Sequence, residues 1–320
     1  MNHVYVITHT DLDGVGAAAA LLRVLGRRRG EGATVLYSEP YDLHETLQLL
    51  GRYLERGDLV AVTDLGLNEE RKEETKRAVR DLVRRARVEF YDHHVWEESD
   101  VAGLLEMGAT LYIDRSTCAT GVVVNYATRS RGMEPDRFLK ELELAVCSAD
   151  LWRWDHPLSP KLYRAVGARE EGREWRDRVL DKLVEGKLWD EELERRVEQY
   201  IDEELRRVSK ALETVYVTER GGIRVAFAVK EEGPPANGII AAILMSRYEA
   251  QIAGIMRPNG GLSLRSRKVD VQRIAARLGG GGHVRAAGAR IKLPFLISLL
   301  SEVYPRALSW YGANKVLKHM

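Results

Sequence analysis

Val4-Tyr5-Val6-Ile7-Thr8-His9-Thr10-Asp11-Leu12-Asp13-Gly14 passes from an apolar run into a polar turn, and GVGAAAALLRVLGRR follows at once. The first part predicts a buried strand and the last an amphipathic helix. In extended chain His9, Asp11 and Asp13 stand at i, i+2 and i+4, so their side chains share one face. They fall at the carboxyl end of the strand, where open α/β sheets bind ligands, and the helix opened by Gly14 offers its positive end to an anion. A plainer use of Asp11 and Asp13, as turn and N-cap residues before a helix, remains open from this stretch alone.

The same alternation repeats along the following residues. ATVLY precedes LHETLQLLGRYL; LVAVT precedes NEERKEETKRAVRDLVRRAR; VEFYD and LYI follow, and residues 119–150 read as two helices ending in LAVCSAD. This order predicts an α/β fold whose N-terminal domain is a doubly wound, mainly parallel sheet. Polar residues recur where the apolar runs end: Asp64 after LVAVT, then Asp92, His93 and His94 after VEFY. Asp150 closes an apolar helix, where the negative helix end disfavours an acid unless a cation compensates. Alone, Asp150 reads as an exposed helix-end residue.

Imidazoles and carboxylates without thiolates suit Mn²⁺, with Mg²⁺, Co²⁺, Fe²⁺ or Zn²⁺ as other choices; a calcium cage or Cys-rich zinc site fits poorly. The donors are too many for one ion. With one shared carboxylate they suffice for two, about 3.5–4 Å apart, the arrangement used for displacement at phosphorus.

Forty-nine basic and forty-eight acidic residues leave a net charge of +1, which speaks against a long-duplex binder held by an overall positive field. Cys118 and Cys147 are too few for a disulfide framework and are expected to be small buried hydrophobes. No run of about 18 apolar residues occurs, so no membrane span is expected, and the location is read as cytoplasmic.

In the second half, Leu193, Val197, Ile201, Leu205, Val208 and Leu212 advance by three or four, describing one long helix. Periodicity alone fits an interdomain connector or an ordinary surface helix of the first domain; with the connector, the expected division is a catalytic domain over 1–188, a helical connector over 189–212 and a smaller α+β domain over 213–320. Two hairpins, TVYVTE with IRVAFAVK and QIAGIMR with LSLRSR, flank the helix NGIIAAILMSR. Gly279, Gly280, Gly281 and Gly282 run into His283 without the Lys-Ser/Thr of a phosphate-binding P-loop, so an ATPase is excluded. Glycines admit backbone N–H groups to an anion, and Arg265 and Arg267, two apart on an expected strand, share a face and can clamp phosphate. The plainer alternative is a flexible turn with solvated arginines. Trp152, Trp154, Trp175 and Trp189 fall between the two patterned halves; a base can stack there, although large aromatics are more often core.

Taken together, the His9-Thr10-Asp11-Leu12-Asp13-Gly14 stretch, Asp64 in VTDLG, the Asp92-His93-His94 triplet and Asp150 resemble, in that order, the motifs of the DHH phosphoesterases. The segment LSLRSRKVDVQRIAARLGGGGHVRAAGARI resembles the glycine signature of the DHH-associated C-terminal domain. The resemblance implies one metal on His9, Asp11 and Asp64 and another on Asp13, Asp64, His93 and Asp150. It also implies Asp92 orienting the histidines, His94 at the phosphate, and Arg265, Arg267, Gly280, Gly281, Gly282 and His283 binding substrate. Ala17 stands where the family often has Ser, which removes a hydroxyl near the phosphate.

The expected activity is that of the RecJ-like, nanoRNase and pAp-phosphatase branch: hydrolysis of short single-stranded oligonucleotides or dinucleotides to mononucleotides, and of 3′-phosphoadenosine 5′-phosphate. A cyclic di-AMP or pApA phosphodiesterase is the alternative. Inorganic pyrophosphatase is disfavoured by the close spacing of His9 and Asp11, and a non-enzymatic replication scaffold by the complete ligand set. Homodimerisation and partners in replication or repair stay open.

Overall fold

β1 (Val4–Thr8) is the strand from which the first unit is built, and in the computed structural model, which describes residues 2–167 and 172–320, it lies inside a six-stranded sheet. The chain divides into two units, Met1–Val197 and Glu198–Met320. In the first, β1 leads to α1 (Leu12–Val24), a two-residue β2 (Arg28–Arg29), β3 (Gly32–Tyr37), α2 (Leu43–Leu50) and β4 (Leu59–Thr63). α3 (Lys72–Leu82), β5 (Arg87–Asp92), α4 (Glu98–Glu106) and β6 (Thr110–Ile113) complete the sheet and its crossovers.

The strand order is β2-β3-β1-β4-β5-β6, and every pairing is parallel, as the alternation of apolar runs and amphipathic stretches implies. From β1 the chain winds first to β3 on one side and then returns to β4 on the other. That reversal opens a crevice at the carboxyl ends of β1 and β4, the usual ligand position of such sheets. All five residues of β4 are buried, which explains why LVAVT is apolar throughout instead of alternating. Ile7, Val60, Val62, Phe90 and Leu104 anchor the core beneath α2, α3 and α4.

The opposite face is covered by α1, whose small residues set how closely its neighbours approach. A side chain at Gly16 would meet Thr120 Oγ1 at 2.6 Å and Val146 Cγ2 at 3.0 Å. Those contacts come from α5 (Ala119–Val122), which continues into a π-helical turn (Val123–Ala127), and from α6 (Arg137–Asp150). α7 (Ser159–Val166) and α8 (Arg173–Val184) follow, and α9 (Glu191–Glu213) carries the boundary between the units within its length.

Cys118 and Cys147 are buried, but they form a disulfide and are not free apolar fillers. Their Cα atoms stand 5.1 Å apart because the N-terminus of α5 packs on α6, a proximity that 29 residues of separation conceal.

The second unit contains β7 (Tyr216–Arg220), β8 (Ile223–Val229), α10 (Asn237–Arg247), β9 (Ile252–Met256) and β10 (Gly261–Ser266). α11 (Val271–Arg277), β11 (Gly281–His283), β12 (Ala286–Arg290), α12 (Phe295–Val303) and α13 (Arg306–Lys318) follow. Its sheet runs β11-β12-β10-β9-β8-β7, antiparallel except for β8 with β9, which α10 joins as a crossover. Ile240 and Leu244 of α10 fill one face, and Leu308, Ala313 and Val316 of α13 fill the other. α13 is thus a core helix of this unit. Among the described residues no helix is long and apolar enough to cross a membrane.

Candidate metal centre

The ends of β1 and β4 are fastened before any functional side chain begins. Thr8 and Thr63 are register partners, and the buried Thr63 hydroxyl donates to Thr8 Oγ1 at 2.7 Å. Thr8 Oγ1 in turn donates to the Gly14 carbonyl at 2.6 Å, drawing the first turn of α1 back to the strand. Gly14 is required at this turn, because a Cβ there would lie 2.4 Å from the His9 carbonyl oxygen. His9, Asp11 and Asp64 leave these fastened ends. Asp11 is also the N-cap of α1, accepting the Gly14 N–H at 3.1 Å, so the cap and the ligand readings coexist in one carboxylate.

Two groupings share Asp64. His9 Nδ1 is 2.9 Å from Asp11 Oδ2 and 3.6 Å from Asp64 Oδ2. His93 Nε2 is 3.7 Å from Asp13 Oδ2, 3.6 Å from Asp64 Oδ1 and 3.7 Å from Asp150 Oδ2. Within each of the sets His9-Asp11-Asp64, Asp13-His93-Asp150 and Asp64-His93-His94, one donor atom per residue lies within 4.8 Å of the others. One nitrogen facing three carboxylate oxygens just beyond hydrogen-bond length is the spacing of donors around a shared cation.

The backbone reinforces this arrangement. Asp64 takes φ 57°, a left-handed conformation uncommon outside glycine, while its N–H donates to Tyr91 O at 3.0 Å. Asp13 is 1% exposed, and its two oxygens accept the N–H groups of Ala119 at 2.7 Å and Thr120 at 2.8 Å. The carboxylate therefore caps α5, the helix that Cys118 ties to α6, and α6 ends in Asp150. Glu39, just beyond β3, lies 3.4 Å from His9 Nε2 and accepts Thr10 Oγ1 at 3.0 Å.

Electrostatically the cluster crowds its carboxylates, and the raised values mark a demand for positive charge. Burial, then the neighbouring Asp11 and Asp13, push the Asp64 carboxyl up to about 7. Burial and Asp13 push Asp150 up to about 8, and burial raises Asp13 as well. Burial pulls the histidines down, but the adjacent carboxylates of Asp11, Asp64 and Glu39 carry His9 up to about 12, while Asp64, Asp13 and Asp150 carry His93 up to about 10. Burial also pushes Asp11 up, but its bond to His9 prevails and keeps it below the usual carboxylate range. Asp64 Oδ2 is buried with no hydrogen-bond partner. A nitrogen and oxygen donor set with an orphaned buried carboxylate oxygen and unbalanced negative charge fits divalent cations.

Asp92 has a different office. It is 1% exposed and accepts His94 Nδ1 on one oxygen at 2.8 Å and Trp96 Nε1 on the other at 2.6 Å. It thus orients His94, whose side chain is half exposed, and makes no such bond to His93. Trp96, Thr120 and Glu39 were not singled out from the sequence; an indole four residues past Asp92 and an acid past ATVLY were the available signals.

In the second unit Arg265 stands on β10, opposite the core-facing Leu264, and burial lowers its pKa. β10 ends at Ser266, so Arg267 lies one residue beyond it and is exposed, not a strand neighbour of Arg265. Gly280 and Gly282 let β11 lie against β12: a Cβ on either would come within 2.0 Å of Gly288 O or 2.6 Å of Ala287 Cα. Gly279 takes φ 76°, whereas a Cβ on Gly281 would meet nothing within 4 Å. The His283 side chain falls outside the described residues. Ala17 is wholly buried in α1.

Comparison with known proteins gives a consistent result. Residues 3–149 match the DHH family, N-terminal domain, and residues 222–307 the DHHA1 domain. The chain is 25% identical over 319 residues to oligoribonuclease NrnB of Bacillus subtilis (strain 168), covering 91% of this chain and 73% of that one. Its fold is similar to exonuclease RecJ bound to manganese, at TM-score 0.61 and 18% identity, covering 99% of this chain and 92% of that structure. It is also similar to PggH, a pGpG-specific phosphodiesterase from Vibrio cholerae, at TM-score 0.58 and 15% identity, covering 96% and 99%. The chain belongs to the DHH family and carries a C-terminal DHHA1 domain.

Proposed function

We propose that this chain is a metal-dependent phosphodiesterase that hydrolyses dinucleotides and short single-stranded oligonucleotides to mononucleotides, and also accepts 3′-phosphoadenosine 5′-phosphate. The observation that carries the reading is the convergence of His93 Nε2 on Asp13, Asp64 and Asp150 beside the His9-Asp11-Asp64 set. The named activities of NrnB, RecJ and PggH, all on nucleotide phosphodiesters or nucleic acid, support it.

His9, Asp11 and Asp64 would hold one divalent ion, and Asp13, Asp64, His93 and Asp150 a second, with Asp64 bridging. Mn²⁺ is the first choice, and Mg²⁺ or Co²⁺ are compatible with the same donors. When bound, such ions activate water and offset charge on the phosphoryl oxygens. The remaining work falls to side chains of the chain itself. Asp92 holds the proton of His94 on Nδ1 and raises the imidazole pKa, which leaves Nε2–H to donate to a non-bridging oxygen or the leaving group. Trp96 occupies the other oxygen of Asp92 and keeps that carboxylate turned toward His94. Arg265, Arg267, His283 and the N–H groups of Gly280, Gly281 and Gly282 would bind a further phosphate.

The test is a substrate panel with Mn²⁺, Mg²⁺, Co²⁺ or EDTA: labelled dinucleotides, longer single strands, cyclic di-AMP, 3′-phosphoadenosine 5′-phosphate and pyrophosphate. Dinucleotides and the shortest strands should turn over fastest, and only with metal. Preference for pyrophosphate, or for strands far longer than a few nucleotides, overturns the reading.

A further inference from the structure

α6 ends where glycine ordinarily ends a helix, but with tryptophan. Beyond Asp150 and the cap residue Leu151, the Trp152 N–H donates to Ala149 O at 3.1 Å and the Arg153 N–H to Ser148 O at 2.9 Å. These two bonds form the closure whose left-handed position is usually glycine, because a Cβ is disfavoured there. Trp152 takes that position at φ 58°, and Trp154 repeats the conformation at φ 57°.

The loop that bears them is firmly held. Ser148 is wholly buried; its carbonyl accepts the N–H of Arg153 and Trp154, and its Oγ accepts those of Asp155 and His156 at 2.9 and 3.1 Å. Four consecutive amides therefore converge on one serine. Trp154 packs on Trp152 with centroids 4.8 Å apart and meets Tyr163 edge-on at 5.5 Å. Trp152 is nonetheless 56% exposed.

The other three tryptophans of this region are held inward: Trp154 within that stack, Trp175 by donation to Ala165 O, and Trp189 by donation to Glu194. An indole left more than half in water by a left-handed backbone on a firmly held loop adds little to the core, and backbone outliers of this kind collect at ligand sites. The Trp152 Cα lies two residues from that of Asp150, hence within about 7.6 Å of it.

We infer that Trp152 is a stacking platform for a nucleobase of the substrate, buttressed by Trp154 and Tyr163, beside the phosphate-cleaving cluster. This rests on the reading of that cluster as a nucleotide phosphoesterase. Every base offers a π-face, so the platform admits a nucleotide of any sequence while favouring one that carries a base.

The test compares wild type with W152A, W152G and W152F in the full chain with Mn²⁺. Glycine suits the backbone at φ 58°, so W152G removes the indole without straining the loop. KM for a 5′-phosphorylated diadenosine dinucleotide and Kd for 5′-AMP, by calorimetry, should rise roughly 5- to 100-fold in W152A and W152G, the range of one lost base stack. W152F should recover most of the loss, and a dinucleotide analogue lacking bases should lose no further affinity.

Unchanged Kd for 5′-AMP in W152G, or equal losses with and without bases, overturns the platform. Failure of the wild type to cleave any dinucleotide defeats the functional reading instead. The 5′-AMP titration still judges the platform in that case, with weakening in W152G supporting it and no change overturning it.

Discussion

The carboxyl end of the first sheet and the glycine run of the second carry equally conspicuous motifs, yet their residues are constrained in different ways. At the metal centre the polar side chains are placed by buried partners: Thr63 to Thr8 to Gly14, and Asp13 between two amides of α5. In the glycine run most of the residues are fixed by their own backbone, through the close approach of β11 to β12 at Gly280 and Gly282 and the left-handed Gly279. Gly281 alone in that run answers to neither demand. The residues of a motif can thus be placed by distant buried partners or by the close approach of their own backbone.

The largest expected effect lies on the metal side. Asp64→Asn keeps a residue that tolerates left-handed backbone but halves the ligand and removes its charge, and turnover should fall on the order of 10³-fold or more. Steady-state rates at saturating Mn²⁺ read this, and substantial residual activity excludes a bridging role. Next is the covalent tie between α5 and α6. Replacing Cys118 and Cys147 by Ser should cost about 2–4 kcal/mol, the usual value for a loop of this size, in denaturant unfolding. Mn²⁺ affinity should weaken as well, because the tie joins the helix that anchors Asp13 to the helix that ends in Asp150. Stability lost without any change in Mn²⁺ affinity would separate the disulfide from the metal centre.

The glycine run should respond unevenly to alanine. Gly280→Ala and Gly282→Ala should each cost about 1–3 kcal/mol through backbone clashes. Gly281→Ala should stay within about 0.5 kcal/mol of wild type in stability and raise KM for dinucleotides. If Gly281→Ala leaves KM unchanged, the run is architecture throughout.

The smallest effect is a slope with pH. In the metal-free chain Asp64 and Asp150 titrate near 7 and 8 instead of 3.8, and His93 near 10 instead of 6.5. Each folded-state pKa is raised, so its stabilising contribution is complete below the unfolded value and declines as pH climbs toward the folded one. The depressed Asp11 acts oppositely, but its contribution is already complete above about pH 5. Tm of the metal-free chain should therefore fall from pH 5 to pH 8, and Mn²⁺ should reverse the trend, since its ligands bind deprotonated. A flat or rising profile without metal would show that the cluster is not short of positive charge.

Legibility followed the range of the interaction. Strand-end polar residues recur after apolar runs, so His9, Asp64, Asp92 and His93 could be read locally, and so could the parallel sheet. The anchorage of Asp13 by Ala119 and Thr120 uses backbone N–H groups more than a hundred residues away, which leave no pattern of residue types. The Cys118–Cys147 bond depends on how two helices pack, and α13 is apolar on a face that its polar neighbours disguise. Arg267 was placed on a strand by alternation that continues one residue past the last paired one.

The left-handed backbone of Asp64 has one more consequence. At φ 57° the chain readily admits glycine, asparagine and aspartate, whereas a bridging anionic ligand admits aspartate and glutamate. The two lists overlap in a single residue. In the proposed bridging role, position 64 is restricted twice over, by conformation and by charge, and the amino acid found there is the one member common to both alphabets.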